Sequence, residues 1–365
     1  MKSIKRFLPI VLSLLMMGAI CGCETNRGAN TDPYEEESDL KCYYEYSDEI
    51  TNRQAVEGKL AVYFFRGDAS MDKYDSKEVC GDATLIIAPN GETMLIDCNI
   101  TSCAPYIVDT LLKLGITKLD YFVNSHPHGD HIGGWDTLLR YIEIGQVYRT
   151  DSTLYSKTDQ RYVRGFIEAL NEKGIPHAAL YKGDTVTMGD DDEVVFDVMW
   201  PSNDINWAAY ESDLLQNECS IVMTMRYGDS SFFFGGDIGT ATESSLLDEY
   251  GDKLDVDIAK MNHHGWKNTS ESIAWIRGLS PMISVGERYV PLGAEEVYAD
   301  YACNGAIAMF TSLDKTIRIT TTGDGKYGVQ AEKDRDSLIQ ELIYPKGVEN
   351  GFFALEDHYF EMEVE

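Results

Sequence analysis

Apolar residues in this chain come in short runs, each closed by a polar or glycine-bearing turn. Lys59–Phe65, Ala83–Ile87 and Thr93–Ile96 read as strands, with Pro89-Asn90-Gly91 as the hairpin turn between the last two. Tyr106–Gly115 carries helical spacing and ends on a glycine stop. The strand Leu119–Val123 follows and runs into Ser125–Gly134. Helices are expected over Thr137–Tyr141 and Tyr162–Lys173, and strands over Val194–Met199, Ser220–Arg226 and Ser231–Phe234. A helix over Glu243–Tyr250 leads to a short strand, Val256–Lys260, and Pro281–Gly286 and Thr316–Thr321 close the folded body. Hairpins mixed with crossover units predict two sheets covered by helices rather than one doubly wound sheet.

The ends break this pattern. Lys2, Lys5 and Arg6 precede an apolar stretch, Phe7–Ile20, too short for a comfortable membrane span, which ends in Ile20-Cys21-Gly22-Cys23. This is similar to a bacterial lipoprotein signal. The resemblance implies cleavage before Cys23, lipidation of Cys23, and an extracytoplasmic protein anchored to the membrane by lipid. The chain then divides into a signal (1–22), an acidic tether (23–57), a folded domain (58–330) and an acidic extension (331–365), in which His358 reads as a surface residue. The net charge of −30 disfavours sequence-independent binding to nucleic acid, and no Lys/Arg run offsets it. It suits a small or locally bound substrate, and no obligate protein partner is evident. Beyond the signal, Cys42, Cys80, Cys98, Cys103, Cys219 and Cys303 form no C-x-x-C pair. Cys98 and Cys103 are compatible with a short disulfide loop or with separate buried thiols.

Three of the seven histidines stand together in His126-Pro127-His128-Gly129-Asp130-His131, directly after a strand. Pro127 bars a regular helix through His126 and His128, and imidazole with carboxylate suits Zn, Fe or Mn better than Ca or Mg. Asp97, Asp237 and the pair His263-His264 also stand just beyond strands, where side chains reach the crevice above a sheet edge. Together they meet the demand of a binuclear hydrolase. His126 and His128 take one metal, Asp130 and His131 the other, and Asp237 bridges them.

His126-x-His128-x-Asp130-His131 resembles the signature of the metallo-β-lactamase superfamily, with Asp97 and Gly236-Asp237 as further matching motifs. Gly81-Asp82-Ala83, Asn217-x-x-Ser220 and Asp257-x-x-Lys260-x-x-His263-His264-Gly265 are similar to the soluble hydrolase domain of DNA-internalisation competence proteins and related secreted lipoproteins, over about residues 59–325. The resemblance implies an αββα four-layer sandwich with one or two divalent ions, Zn or else Mn or Fe, at the sheet edge. It implies Asp97 as the residue that orients a ligating histidine, with Asn217 and Ser220 in supporting places. It gives Asp130, His263 and His264 catalytic duties, one of the two histidines binding metal or standing beside the scissile phosphate. Two departures stand out. His177, the only histidine between the main motif and Asp237, reads as part of a helix-to-strand connection, and Arg288-Tyr289-Val290-Pro291-Leu292-Gly293 replaces a late Gly-His-Pro. Trp266 is a candidate pocket residue, and Trp135, Trp200, Trp207 and Trp275 are candidates for the core. Lys267 and Arg288 read as solvated cations, and Asp190–Glu193 as a solvated turn.

The resulting expectation is a phosphodiesterase using metal-activated water. The alternatives are an ester, thioester or lactone hydrolase of the same fold, or a metal-binding lipoprotein with impaired catalysis.

Overall fold

The computed structural model describes residues 47–67, 81–151, 160–206, 213–266, 269–287 and 294–333. The signal, Cys23, Cys42, Cys80, Trp207, Lys267, the segment from Arg288 to Gly293 and His358 lie outside the described residues. Among the described residues no helix is long and apolar enough to cross a membrane.

The first part of the chain supplies β1 (Leu60–Phe64), β2 (Thr84–Ile87), β3 (Thr93–Ile96), β4 (Lys118–Asn124), β5 (Glu143–Arg149) and β6 (His177–Ala179). The middle supplies β7 (Thr185–Met188), β8 (Val194–Trp200), β9 (Val222–Tyr227), β10 (Ser230–Phe234), β11 (Ile258–Lys260), β12 (Ile283–Gly286) and β13 (Ile307–Phe310). Finally β14 (Ile317–Thr321) and β15 (Gly328–Ala331) return to the first sheet. The sheet orders are β15-β14-β1-β2-β3-β4-β5-β6 and β13-β12-β11-β10-β9-β8-β7.

The apolar runs are continuous because these strands are buried on both faces. In β1, Leu60, Val62 and Phe64 meet Phe196, Met223, Phe232 and Ile258 of the other sheet. Ala61 and Tyr63 face the opposite way, into a layer containing Tyr106, Ile107, Leu111, Phe166 and Leu170. In β10, Phe232 and Phe234 face the inter-sheet core, while Phe233 packs edge-on against Trp275 in the outer helical layer. Each buried Val, Leu, Ile, Phe or Met among these stabilises the fold by about 1.5–3 kcal/mol relative to leaving it exposed. The order of layers is helix, sheet, sheet, helix, the αββα sandwich.

The sequence reading contains no counterpart of β6, β7, β13 or β15, and three further features differ from it. β5, written Glu-Ile-Gly-Gln-Val-Tyr-Arg, has no clean alternation and is a strand because it pairs in parallel with β4 on one side and β6 on the other. In the second sheet β11 begins at Ile258, not Val256. The tether also ends before residue 57: Ile50 and Val56 are buried in the first core, and Arg318 donates to the Glu49 carbonyl at 2.6 Å.

Candidate metal centre

Topology explains why residues so distant in sequence converge. β3 and β4 are parallel, as are β10, β11 and β12, so their carboxyl ends lie at one edge of their respective sheets. β2 is antiparallel to β3 and β9 to β10, which brings the starts of β2 and β9 to the same edges. Asp97, Ser125–His131, Asp237, His263 and His264 follow strand ends, whereas Asp82, Asn217 and Ser220 precede strand starts. A hydrogen bond from Ile221 N to Ser125 O, 2.9 Å, joins the two edges.

Asp237 stands at the middle. Its Oδ2 lies 3.1 Å from His131 Nε2, 3.3 Å from His264 Nε2, 3.8 Å from His126 Nε2 and 3.9 Å from His263 Nε2. His264 Nε2 is also 3.1 Å from Asp130 Oδ2, and His126 Nε2 is 3.1 Å from His128 Nδ1. Asp82, His131, Asp237 and His264 each offer one donor atom within 4.8 Å of the others, and all four are buried. His128 Nε2 and Asp237 Oδ1 have no hydrogen-bond partner among the described residues. Buried polar atoms left this way are costly unless something else satisfies them. Imidazole and carboxylate donors converging on one volume fit a divalent transition metal.

The surroundings hold these donors in place. Asp97 accepts from His131 Nδ1 (2.8 Å), Ser125 N (2.8 Å), Ser125 Oγ (2.6 Å) and Asn124 Nδ2 (3.2 Å). Asp82 Oδ1 lies 2.8 Å from His264 Nδ1, and Lys260 Nζ lies 2.5 Å from Asp82 Oδ2. Glu287 accepts from Ala83 N and the Thr84 hydroxyl, at 3.0 and 3.2 Å. The turn bearing the histidine pair is gripped through Asn262, whose backbone N–H donates to Glu271 and whose amide donates to Glu243 at 3.1 Å. Burial, then the neighbouring Glu243, pushes the Glu271 carboxyl up to about 8.

Asp97, His263 and His264 all have left-handed backbones, at φ 59°, 45° and 57°. For such residues this costs about 1–2 kcal/mol each, strain that surrounding hydrogen bonds must hold. Asp97 N donates to Val123 O at 2.8 Å and His263 N to Gly236 O at 3.0 Å. Gly236 is itself left-handed, at φ 54°, and a Cβ there would meet the Ser220 side chain at 2.7 Å. That close approach lets Ser220 Oγ accept the Asp237 N–H at 3.0 Å.

The electrostatics follow from this crowding. Burial, then the charge of His131, holds the His126 imidazole well below its usual value, in the neutral form a ligand needs. For His131 burial works against charge, but Asp237, Asp82, Asp97 and Asp130 outweigh it and raise the pKa well above 6.5. His264 is raised in the same way, burial being overcome by Asp237 and Asp82. Asp237 and Asp82 are lowered despite burial, the first by His131, His264 and His263 and the second by Lys260, His264 and His131.

These shifts set a pH window for the metal-free chain. The lowered carboxylates contribute stability fully above their usual 3.8 and lose it as pH falls through their folded values. The raised histidines contribute fully below their usual 6.5 and lose it as pH rises through their folded values. Thermal melts in chelator are therefore expected to peak between about pH 4 and pH 6.5 and fall on either side. A melting temperature that climbs steadily from pH 6 to about pH 9 would contradict this assignment.

The structure thus gathers His126, His128, Asp130, His131, Asp237 and His264 around one centre. It places His263 at its rim, with Nδ1 2.7 Å from Thr269 Oγ1 and Nε2 3.3 Å from Asn217 Nδ2. Asp97 stands behind His131, and Ser220 behind Asp237. His177 is remote, beginning the edge strand β6 with Asn171 Oδ1 3.4 Å away. Cys98 and Cys103 are separate buried thiols. Trp275 is core, while Trp266 is 40% exposed with its ring 5.8 Å from that of His263. Asp190–Asp192 forms an exposed turn. Sequence reasoning gave no role to Asp82, Lys260 or Glu287. The usable signal was Gly81-Asp82 just ahead of a strand that forms a hairpin with the strand ending at Asp97.

A family model described as the metallo-beta-lactamase superfamily matches residues 79–273. Competence protein ComA of Neisseria gonorrhoeae is 24% identical over 272 residues, 73% of this chain and 34% of that protein. ComE operon protein 3 of Bacillus subtilis (strain 168) is 23% identical over 183 residues, 50% of this chain and 22% of that protein. The matched stretch thus spans about a third or less of the length of these relatives. Among solved structures, CmlA, a diiron beta-hydroxylase from Streptomyces venezuelae, aligns with a TM-score of 0.43 at 13% identity over 73% of this chain and 54% of that one. A subclass B3 metallo-beta-lactamase from a soil metagenome library aligns with a TM-score of 0.37 at 18% identity over 56% of this chain and 78% of that one.

Proposed function

From the premise that the chain belongs to the metallo-beta-lactamase superfamily of metal-dependent hydrolases, we propose that it hydrolyses phosphodiesters at a centre for two divalent ions. The observation that carries this reading is the placement of Asp237 between the His126–His128 pair and the group Asp130, His131 and His264. His126 and His128 would hold one ion, Asp130, His131 and His264 the other, with Asp237 shared. When bound, such a pair of ions acidifies water and offsets charge developing on the attacking and leaving oxygens of an in-line displacement. His263 stands at the rim with Nδ1 held by Thr269 and Nε2 3.3 Å from Asn217 Nδ2, and exchanging a proton with the leaving oxygen would draw Nε2 off Asn217. The phosphodiester class follows what the resemblance carried by Asn217-x-x-Ser220 and Asp257-x-x-Lys260-x-x-His263-His264-Gly265 implies.

The metal-loaded chain is expected to hydrolyse bis(p-nitrophenyl) phosphate, to lose that activity in chelator, and to leave nitrocefin and simple thioesters untouched. Turnover of a thioester or lactam without any phosphodiester turnover would sink the substrate class. Extracytoplasmic anchoring through Cys23 belongs to the same proposal. Labelling with radioactive palmitate that persists in Cys23→Ala would refute it.

A further inference from the structure

The hydrolytic reading gives Lys260 no task, although it is only 4% exposed and lies against the metal-type donors. A lysine so buried needs partners for its charge. It ends β11 and reaches Asp82 Oδ2 at 2.5 Å, the Met261 carbonyl at 2.9 Å and the Gly236 carbonyl at 3.1 Å. The Gly236 carbonyl is also the acceptor for His263 N, and it immediately precedes Asp237. One ammonium therefore ties the segment before β2 to the loops after β10 and β11.

Asp82 is the partner whose role is undecided by position alone. Its carboxylate lies within 4.8 Å of donor atoms of His131, Asp237 and His264, near enough to serve as a metal ligand. Its Oδ1 meets His264 Nδ1 at 2.8 Å, the place of an acceptor that orients a ligating histidine from behind. An ammonium and a metal ion compete for the same oxygen lone pairs. We propose that Lys260 is a positioning residue that decides this competition. By holding Asp82 Oδ2 it keeps the carboxylate as acceptor for the His264 Nδ1 proton, so that Nε2 presents its lone pair between Asp130 and Asp237. Without Lys260, Asp82 Oδ2 is left with His131 Nδ1, 3.7 Å away and already held by Asp97 at 2.8 Å, so the carboxylate turns onto the metal. This rests on the metal centre proposed above, and the test separates the two.

The experiment uses cobalt(II) as the probe on the purified chain, reading its dissociation constant by titration and its visible absorption band, whose intensity drops as coordination number rises. Lys260→Met is expected to show a weaker band as Asp82 joins the ion, and to bind cobalt more tightly because an adjacent positive charge is gone and a carboxylate ligand is gained. Lys260→Arg keeps the charge and is expected to restore most of both signals. Should Lys260→Met fail to fold, the double variant Lys260→Met with Asp82→Asn removes both charges. It is expected to fold and to keep the band of the unmodified chain, because no carboxylate remains to join, while its affinity falls about 10–100-fold for want of the carboxylate behind His264. A folded Lys260→Met with unaltered affinity and band overturns the proposal, as does a double variant whose band is weakened like that of the single one. An unmodified chain that binds no cobalt overturns the metal centre itself, whereas a chain that binds it indifferently to Lys260 overturns only the role of Lys260.

Discussion

Asp237→Ala is expected to abolish measurable hydrolysis and to strip the chain of bound metal at concentrations that saturate the unmodified protein. Asp237 is 1% exposed, and four imidazoles surround its Oδ2 within 3.9 Å. Removing a residue behind a ligand typically costs about 10–100-fold in metal affinity. Removing the carboxylate that the proposed centre shares between its two ions should exceed that. Asp237→Asn separates charge from shape: the amide fills the same space but adds a proton donor and loses the anion. It is expected to behave almost as badly as alanine. The metal-free protein should report the change as well, because Asp237 is the strongest of the charges that hold His131 and His264 protonated. Elemental analysis of the dialysed variants and kcat/KM on a phosphodiester check the result. A variant that retains bound metal and activity within tenfold would remove Asp237 from the centre.

Asp97→Ala is expected to be almost as damaging to function and worse for folding. Its two oxygens accept four hydrogen bonds, from His131 Nδ1, Ser125 N, Ser125 Oγ and Asn124 Nδ2, and its backbone is left-handed. Truncation leaves donors buried without an acceptor, and breaking a buried pair of this sort costs about 3–5 kcal/mol. His131 also loses the partner that fixes its ring, so metal affinity should fall about 10–100-fold. Asp97→Asn retains an acceptor oxygen and is expected to recover part of the stability but little of the affinity. Denaturant unfolding of the metal-free variants beside metal titrations measures the two effects separately. Equal stability of the alanine variant and the unmodified chain would show that the Asp97 network is dispensable.

What was legible in sequence, and what was not, follows from the range of the interactions involved. The runs around Leu60–Phe64 and Ser230–Phe234 identify themselves because strands packed on both faces are apolar throughout. β5 does not, since Glu143, Gly145 and Gln146 interrupt it and only its neighbours β4 and β6 make it a strand. The cluster His126–His131 is legible because six consecutive residues carry four potential ligands. Asp82 is hidden by contrast. It precedes a strand, and only the antiparallel pairing of β2 with β3 brings it to the edge where the other donors gather. His263 and His264 are adjacent and identical in sequence. Successive left-handed residues separate them, one towards the rim near Asn217 and Thr269, the other into the cluster beside Asp82, Asp130 and Asp237.

The same physics explains why the missing late histidine need not leave the second ion position poor in donors. Arg288-Tyr289-Val290-Pro291-Leu292-Gly293 offers no imidazole, but His264 Nε2 already stands 3.1 Å from Asp130 and 3.3 Å from Asp237. In this reading the chain supplies from the loop after β11 what its relatives are expected to supply from the loop after β12. Metal stoichiometry tests this directly. Equilibrium dialysis of the chelator-stripped chain against zinc, followed by elemental analysis, is expected to saturate at two ions per chain, with hydrolysis of bis(p-nitrophenyl) phosphate returning as they fill. A folded chain that takes up no zinc under those conditions would contradict the account.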